Sequence, residues 1–164
     1  MTMSVKQHTL LDVFCNVMCN KSKIRFCGVI NSMGRLVGGS FKDGIQPLDN
    51  DLQRQMLYMQ SRIELSLKSE FNNSLGFVNY VVTYRDNVVI INIPSDSQKY
   101  HILISAERDS NVNEIIHDVT DLFKEMERMS ITWQPFARVY EKIGYWIFLF
   151  FTPFTLKFIL SDWY

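Results

Sequence analysis

KIRFCGVINSMGRLVGGSFKDG, residues 23–44, combines strand alternation with turn chemistry. Ile24, Phe26, Gly28 and Ile30 alternate with Arg25, Cys27, Val29 and Asn31, the period-two pattern of a β-strand. Asn31-Ser32-Met33-Gly34 supplies turn chemistry, with Gly34 free to take a positive φ. Arg35 to Phe41 then returns as a second strand, and Gly38-Gly39 inside it predicts a bulge or a close backbone approach. The segment is a β-hairpin.

Upstream, Leu10, Leu11, Val13, Phe14, Val17 and Met18 recur at spacings of three and four, predicting a helix over Val5–Cys19 that stops at Asn20. Downstream, Asp43-Gly44 and Pro47 make a connection, and Asp49 or Asn50 can cap the next helix. On that helix Leu52, Met56, Met59, Ile63 and Leu67 fall in one narrow stripe, expected to cover the sheet. Tyr58 and Leu65 form a second, smaller patch left for another contact.

Leu75–Tyr84 reads as a third strand, Arg85-Asp86-Asn87 as a turn, and Val88–Ile93 as a fourth strand. The β-branched run of the fourth strand suits a central position covered on both faces. Pro94 to Ser97 breaks it, and Lys99–Ala106 is the fifth strand. Asn111 with Glu114 forms a capping box before a last helix carrying Val112, Ile115, Ile116, Val119, Leu122, Phe123 and Met126. The order αββαβββα, with short connections, predicts an α+β domain over 1–128: a five-stranded antiparallel sheet with helices on both faces.

Composition sets outer limits. Hydrophobic residues at 47% and charged residues at 21% belong to a globular chain. Seventeen basic side chains balance seventeen acidic ones, which argues against a nucleic-acid partner. Cys15, Cys19 and Cys27 are spaced unlike a secreted disulfide framework, and Lys6, His8 and Asp12 interrupt what a secretory signal would need to be apolar. A reduced, cytoplasmic setting is expected. All three tryptophans (133, 146 and 163) and six of twelve phenylalanines follow residue 132, so 129–164 is set apart as an aromatic-rich tail.

Three stretches carry a resemblance: IRFCGVINSMGRLVGGSFKDG (24–44), MLYMQSRIELSLKSEF (56–71), and YRDNVVIINIP (84–94) followed by ILISAE (102–107). Across about residues 20–125 they resemble an uncharacterised family common in ammonia-oxidising archaea. The element order resembles roadblock and profilin-like domains, which include dimeric regulators of small GTPases. The family adds no reaction, and its pattern does not extend into the aromatic tail. The roadblock resemblance implies a two-fold interface built from the second helix (Leu52–Phe71) and the third strand (Gly76–Tyr84). Tyr58, Leu65, Val78, Tyr80 and Val82 are its candidate residues, the strand reading as an edge with little charge to protect it.

Catalytic and metal constellations are weak. His8, Asp12, Cys15 and Cys19 fall on one face of the first helix, opposite its apolar stripe, with Cys27 following, but the short Cys-x-x-Cys knuckle of zinc sites is absent. Gly34, Gly38, Gly39 and Gly44 fit neither a Walker loop nor a dinucleotide fingerprint. His101, Ser105 and Glu107 share one face of the fifth strand, yet Ser105 lacks the nucleophile elbow of a hydrolase. His101 is read instead as a surface or helix-packing residue. Met56 and Met59 are read as core. No cofactor, metal or catalytic residue is expected.

In the tail, 143–156 is uncharged and 143–160 includes only Lys157, with Pro153 within it and Arg138 and Lys142 before it. A span needs about 20 apolar residues, so a tail anchor, an interfacial segment and an extension packed on the domain all stay open. The functional expectation is a non-catalytic homodimer that binds a protein partner, a small GTPase among the candidates. The alternative is a small-ligand sensor with a pocket between sheet and helices.

Overall fold

The computed structural model describes residues 5–21 and 23–128, with side chains from Leu10 onward. The chain divides into two units, Met1–Lys124 and Glu125–Tyr164. The first holds α1 (Val5–Cys19), β1 (Ile24–Asn31), β2 (Leu36–Phe41), α2 (Asp51–Ser69), α3 (Asn72–Leu75), β3 (Val81–Tyr84), β4 (Val88–Pro94) and β5 (Tyr100–Glu107). A last helix, α4, runs over 112–128. Of the second unit only 125–128 are described, and the tail over 129–164 lies outside the described residues.

All strand pairs are antiparallel, in the order β2-β1-β5-β4-β3. The β1–β2 turn is held by Asn31, whose Oδ1 accepts from the N–H groups of Met33 and Arg35 at 2.9 and 3.1 Å. Gly34 takes φ +72° there. The close backbone approach expected of the glycine pair is present at Gly38, and the irregularity in the ladder falls beside the pair rather than at it. The register slips between Val29 and Ile30, leaving Val37 as the extra residue of a bulge. A Cβ on Gly38 would sit 2.7 Å from the Leu11 Cβ, so α1 can lie this close to β2 only over a glycine.

The two faces of the sheet follow from its register. Cys27, Val29, Val89, Ile91, Ile93, Ile102 and Ile104 are buried on the face that carries α1 and α4. Phe14 of α1 meets Phe123 of α4 edge to face, centroids 5.2 Å apart, and Lys21 pairs with Asp118. The opposite face carries Phe26, Ile30, Val88, Ile90 and Leu103, packed against Tyr58 and Leu57 of α2. Every residue from Val88 to Ile93 is buried, as expected of a strand covered on both sides. Asn50 caps α2: its side chain accepts from the Gln53 N–H at 2.9 Å, and the Gln53 side chain accepts from the Asn50 N–H at 3.1 Å.

Three expectations are corrected. First, the faces of α2 are exchanged. Tyr58, Ser61 and Leu65 are buried, whereas Leu52, Met56, Met59, Ile63 and Leu67 stand between 50% and 68% exposed. The small Ser61 between Tyr58 and Leu65 lets the helix approach the bulky Phe26 and Leu103, so a face of few apolar residues suffices. Second, Cys15 and Cys19 lie on the buried face of α1, while Val13 and Val17 are exposed. Third, β3 is short. Asn72 to Leu75 coils into a turn of helix, and 76–80 reach the sheet edge without joining a ladder, so Val78 and Tyr80 lie outside the strand.

Candidate interaction surface

α2 presents its apolar stripe outward because its other side is committed to the sheet. Leu52 to Leu67 spans about 22 Å of helix at 1.5 Å per residue. Single exposed apolar side chains are ordinary, but five on one helical line make a patch of the kind that marks a contact surface. The chain continues this character toward the sheet edge. Leu67, Phe71, Leu75, Phe77, Tyr80 and Tyr84 are all exposed along the path from α2 through α3 to β3. β3 pairs only with β4, so its outer edge is unpaired among the described residues.

The candidate interface residues thus divide. Tyr80 is exposed, and Val78 and Val82 are half-buried. Tyr58 and Leu65 are both buried, Tyr58 against the apolar residues of the sheet, so neither is open to a partner. The sequence signal that could have found the stripe is its regularity. A line of five apolar residues fits a helix–helix seam as well as it fits a core.

The supposed catalytic strand does not assemble. His101, Ser105 and Glu107 do share the α2 face, since they pair with Ile30, Phe26 and Val88 respectively. Four residues of strand nevertheless place His101 and Ser105 about 13 Å apart. Glu107 is taken by Arg25, Nη1 to Oε1 at 2.8 Å. His101 is fully buried beneath α2, neither ring nitrogen bonds another protein group, and burial, reinforced by the Arg62 charge, lowers its pKa to about 4.

The thiols cluster between α1 and the sheet. Cys19 donates from Sγ to the Ser40 carbonyl at 3.0 Å. Burial raises the Cys19 pKa to about 11 and pushes that of Cys27 well up, with Cys15 as the hydrogen-bonded neighbour of Cys27. Neutral, desolvated thiols are poor metal ligands and poor nucleophiles. Among the described residues no three metal-binding side chains converge, and the side chain of His8 lies outside them.

On the α2 side a cleft of about 730 Å³ opens between the sheet floor, the 42–50 connection and the first half of α2. No described helix is long and apolar enough to cross a membrane, and 143–160 lies outside the described residues.

A five-stranded antiparallel sheet with α2 on one face and α1 and α4 on the other is the roadblock architecture. A Roadblock/LC7 domain from Streptomyces avermitilis superposes with a TM-score of 0.60 at 14% identity, covering 74% of this chain and 98% of that one. Myxococcus xanthus MglB gives 0.58 at 9% identity, covering 77% and 96%. The Thermus thermophilus gliding protein MglB gives 0.59 at 7% identity, covering 76% and 96%. At these identities the likeness is one of fold. By sequence, the chain belongs to a family of unknown function, DUF6659, whose profile matches residues 3–137. No curated protein matches significantly.

Proposed function

We propose that this protein is a non-catalytic interaction module that pairs with a second copy of itself and offers the pair to a protein partner. The observation that carries the reading is the outward apolar stripe of α2, Leu52, Met56, Met59, Ile63 and Leu67. In the proposed two-fold pair the stripes of two α2 helices lie together, and Tyr80 and the free edge of β3 extend the contact. A helix seam continued by strand pairing covers the two surfaces that are costly to leave in water.

Assembly is in keeping with the fold, since one MglB structure has a tetrameric arrangement. The partner class that the roadblock resemblance implies is a small GTPase, acting in the cytoplasm. The aromatic tail over 143–160 is proposed to bring the pair to a membrane surface through its apolar side chains and flanking basic residues.

Sedimentation equilibrium over a wide concentration range tests the pairing. Reversible conversion from one chain mass to two is expected. A single monomeric species at all concentrations contradicts it.

A further inference from the structure

The two edges of the sheet are finished differently. In an antiparallel ladder, alternate residues of an edge strand turn their N–H and C=O away from the neighbouring strand. The Lys42 N–H bonds the Arg25 carbonyl, so the register of β1 and β2 points the backbone groups of Gly39 and Phe41 outward. The Arg85 N–H bonds the Val88 carbonyl, and by the same rule those of Val82 and Tyr84 point outward at β3.

At β2, side chains occupy these positions. The Gly39 N–H donates to Asp12 Oδ1 of α1 at 3.1 Å, and the Phe41 carbonyl accepts from the Ser40 hydroxyl at 3.2 Å. α1 is held to the strand at further points. Cys19 Sγ donates to the Ser40 carbonyl, and the Lys42 ammonium reaches the Lys21 carbonyl just beyond the helix at 3.5 Å. Leu11 lies against Gly38. The bulge at Val37 breaks the ladder, and Arg35 and Lys42 put a cation immediately before and after the strand. Bulges, charges and covering elements are the ordinary means by which proteins block the addition of a strand. At β3, no described group bonds the outward backbone of Val82 or Tyr84.

We infer that α1 guards the β2 edge through the bond from Gly39 to Asp12, leaving β3 as the edge at which the sheet accepts a further strand. A sheet with one open edge can join only one other by edge-to-edge pairing. Assembly of that kind stops at two copies with their β2 edges outermost, instead of growing into an open fibre. Asp12 is itself exposed, so its place at the strand edge is not a matter of core packing. The inference does not rest on pairing through α2, because it concerns the opposite edge of the sheet.

Asp12→Ala removes the acceptor and suits a helix, whereas Asp12→Asn keeps an acceptor oxygen without the charge. Each full-length variant is compared with the parent by amide hydrogen exchange and by light scattering across a range of concentrations. In the parent the Gly39 amide should exchange slowly although it lies at a sheet edge. Asp12→Ala should speed that exchange roughly fivefold or more, the loss of one hydrogen bond, while β4 and β5 amides keep parental rates and so report an intact fold. Its mass should rise above the parental value as concentration increases, and Asp12→Asn should stay at the parental value. Fast Gly39 exchange in the parent, or an Asp12→Ala protein that scatters at the parental mass throughout, overturns the inference. So does an Asp12→Asn protein that associates as Asp12→Ala does, since charge and not the bond would then be the guard. A monomeric parent counts against the pairing alone, because each variant is judged against the parental mass.

Discussion

The rings of Phe26 and Tyr58 lie nearly parallel, 16° between planes and 6.2 Å between centroids, and this contact fixes which side of α2 meets the sheet. From it follow the outward stripe, the cleft and the burial of His101. Tyr58→Ala should therefore cost about 3–5 kcal/mol, the usual range for deleting a buried aromatic side chain. Tyr58→Phe should change stability by less than about 1 kcal/mol, because the hydroxyl bonds no protein group. Urea unfolding of the two variants checks the pair of values.

The same contact shows what could be read from sequence. The hairpin, the buried run of β4 and the Asn50 cap are local matters of alternation, branching and side-chain reach, and they stand where expected. The orientation of α2 is not local. Five apolar residues on one line outweigh Tyr58, Ser61 and Leu65 in any count of hydrophobicity, and such a count cannot distinguish a core from a surface kept for another chain. On α1 the error came from treating cysteine as polar. Cys15 and Cys19 bury as small hydrophobes, while Val13 and Val17 face outward. The dimer candidates Tyr58 and Leu65 failed for the first of these reasons, whereas exposed Tyr80 keeps its place on the surface.

Stability should depend on pH through His101. Its folded-state pKa, about 4, lies below the ordinary 6.5, so the neutral ring is favoured in the fold. The contribution is complete above about pH 6.5 and is lost as pH falls through that value toward 4. The full effect is on the order of 3 kcal/mol. His101→Leu should flatten the unfolding free energy across this window, and an unchanged slope would show that another group sets it.

Gly38→Ala should destabilise the protein by about 1–3 kcal/mol, since the new methyl meets Leu11 of α1 at 2.7 Å. Thermal unfolding beside a Ser40→Ala control measures the difference. A silent Gly38→Ala would mean that α1 can lift from β2 without loss.

The thiols give a kinetic test. Cys15, Cys19 and Cys27 are buried, and burial keeps Cys19 and Cys27 protonated at neutral pH. An aromatic disulfide reagent should label the native protein slowly, at the rate of local opening, and all three thiols promptly in denaturant. Fast labelling of Cys19 in the native state would contradict its place against Ser40.

Pairing through α2 is tested by light scattering of the full chain carrying Met59→Glu with Ile63→Glu. Both side chains are more than half exposed, so the variant should fold, with unchanged circular dichroism and melting within a few degrees of the parent. Two carboxylates on each stripe would lie unpaired at the proposed seam. The parent should scatter as two chains and the variant as one. A variant that remains folded and scatters at the parental mass would contradict pairing through α2.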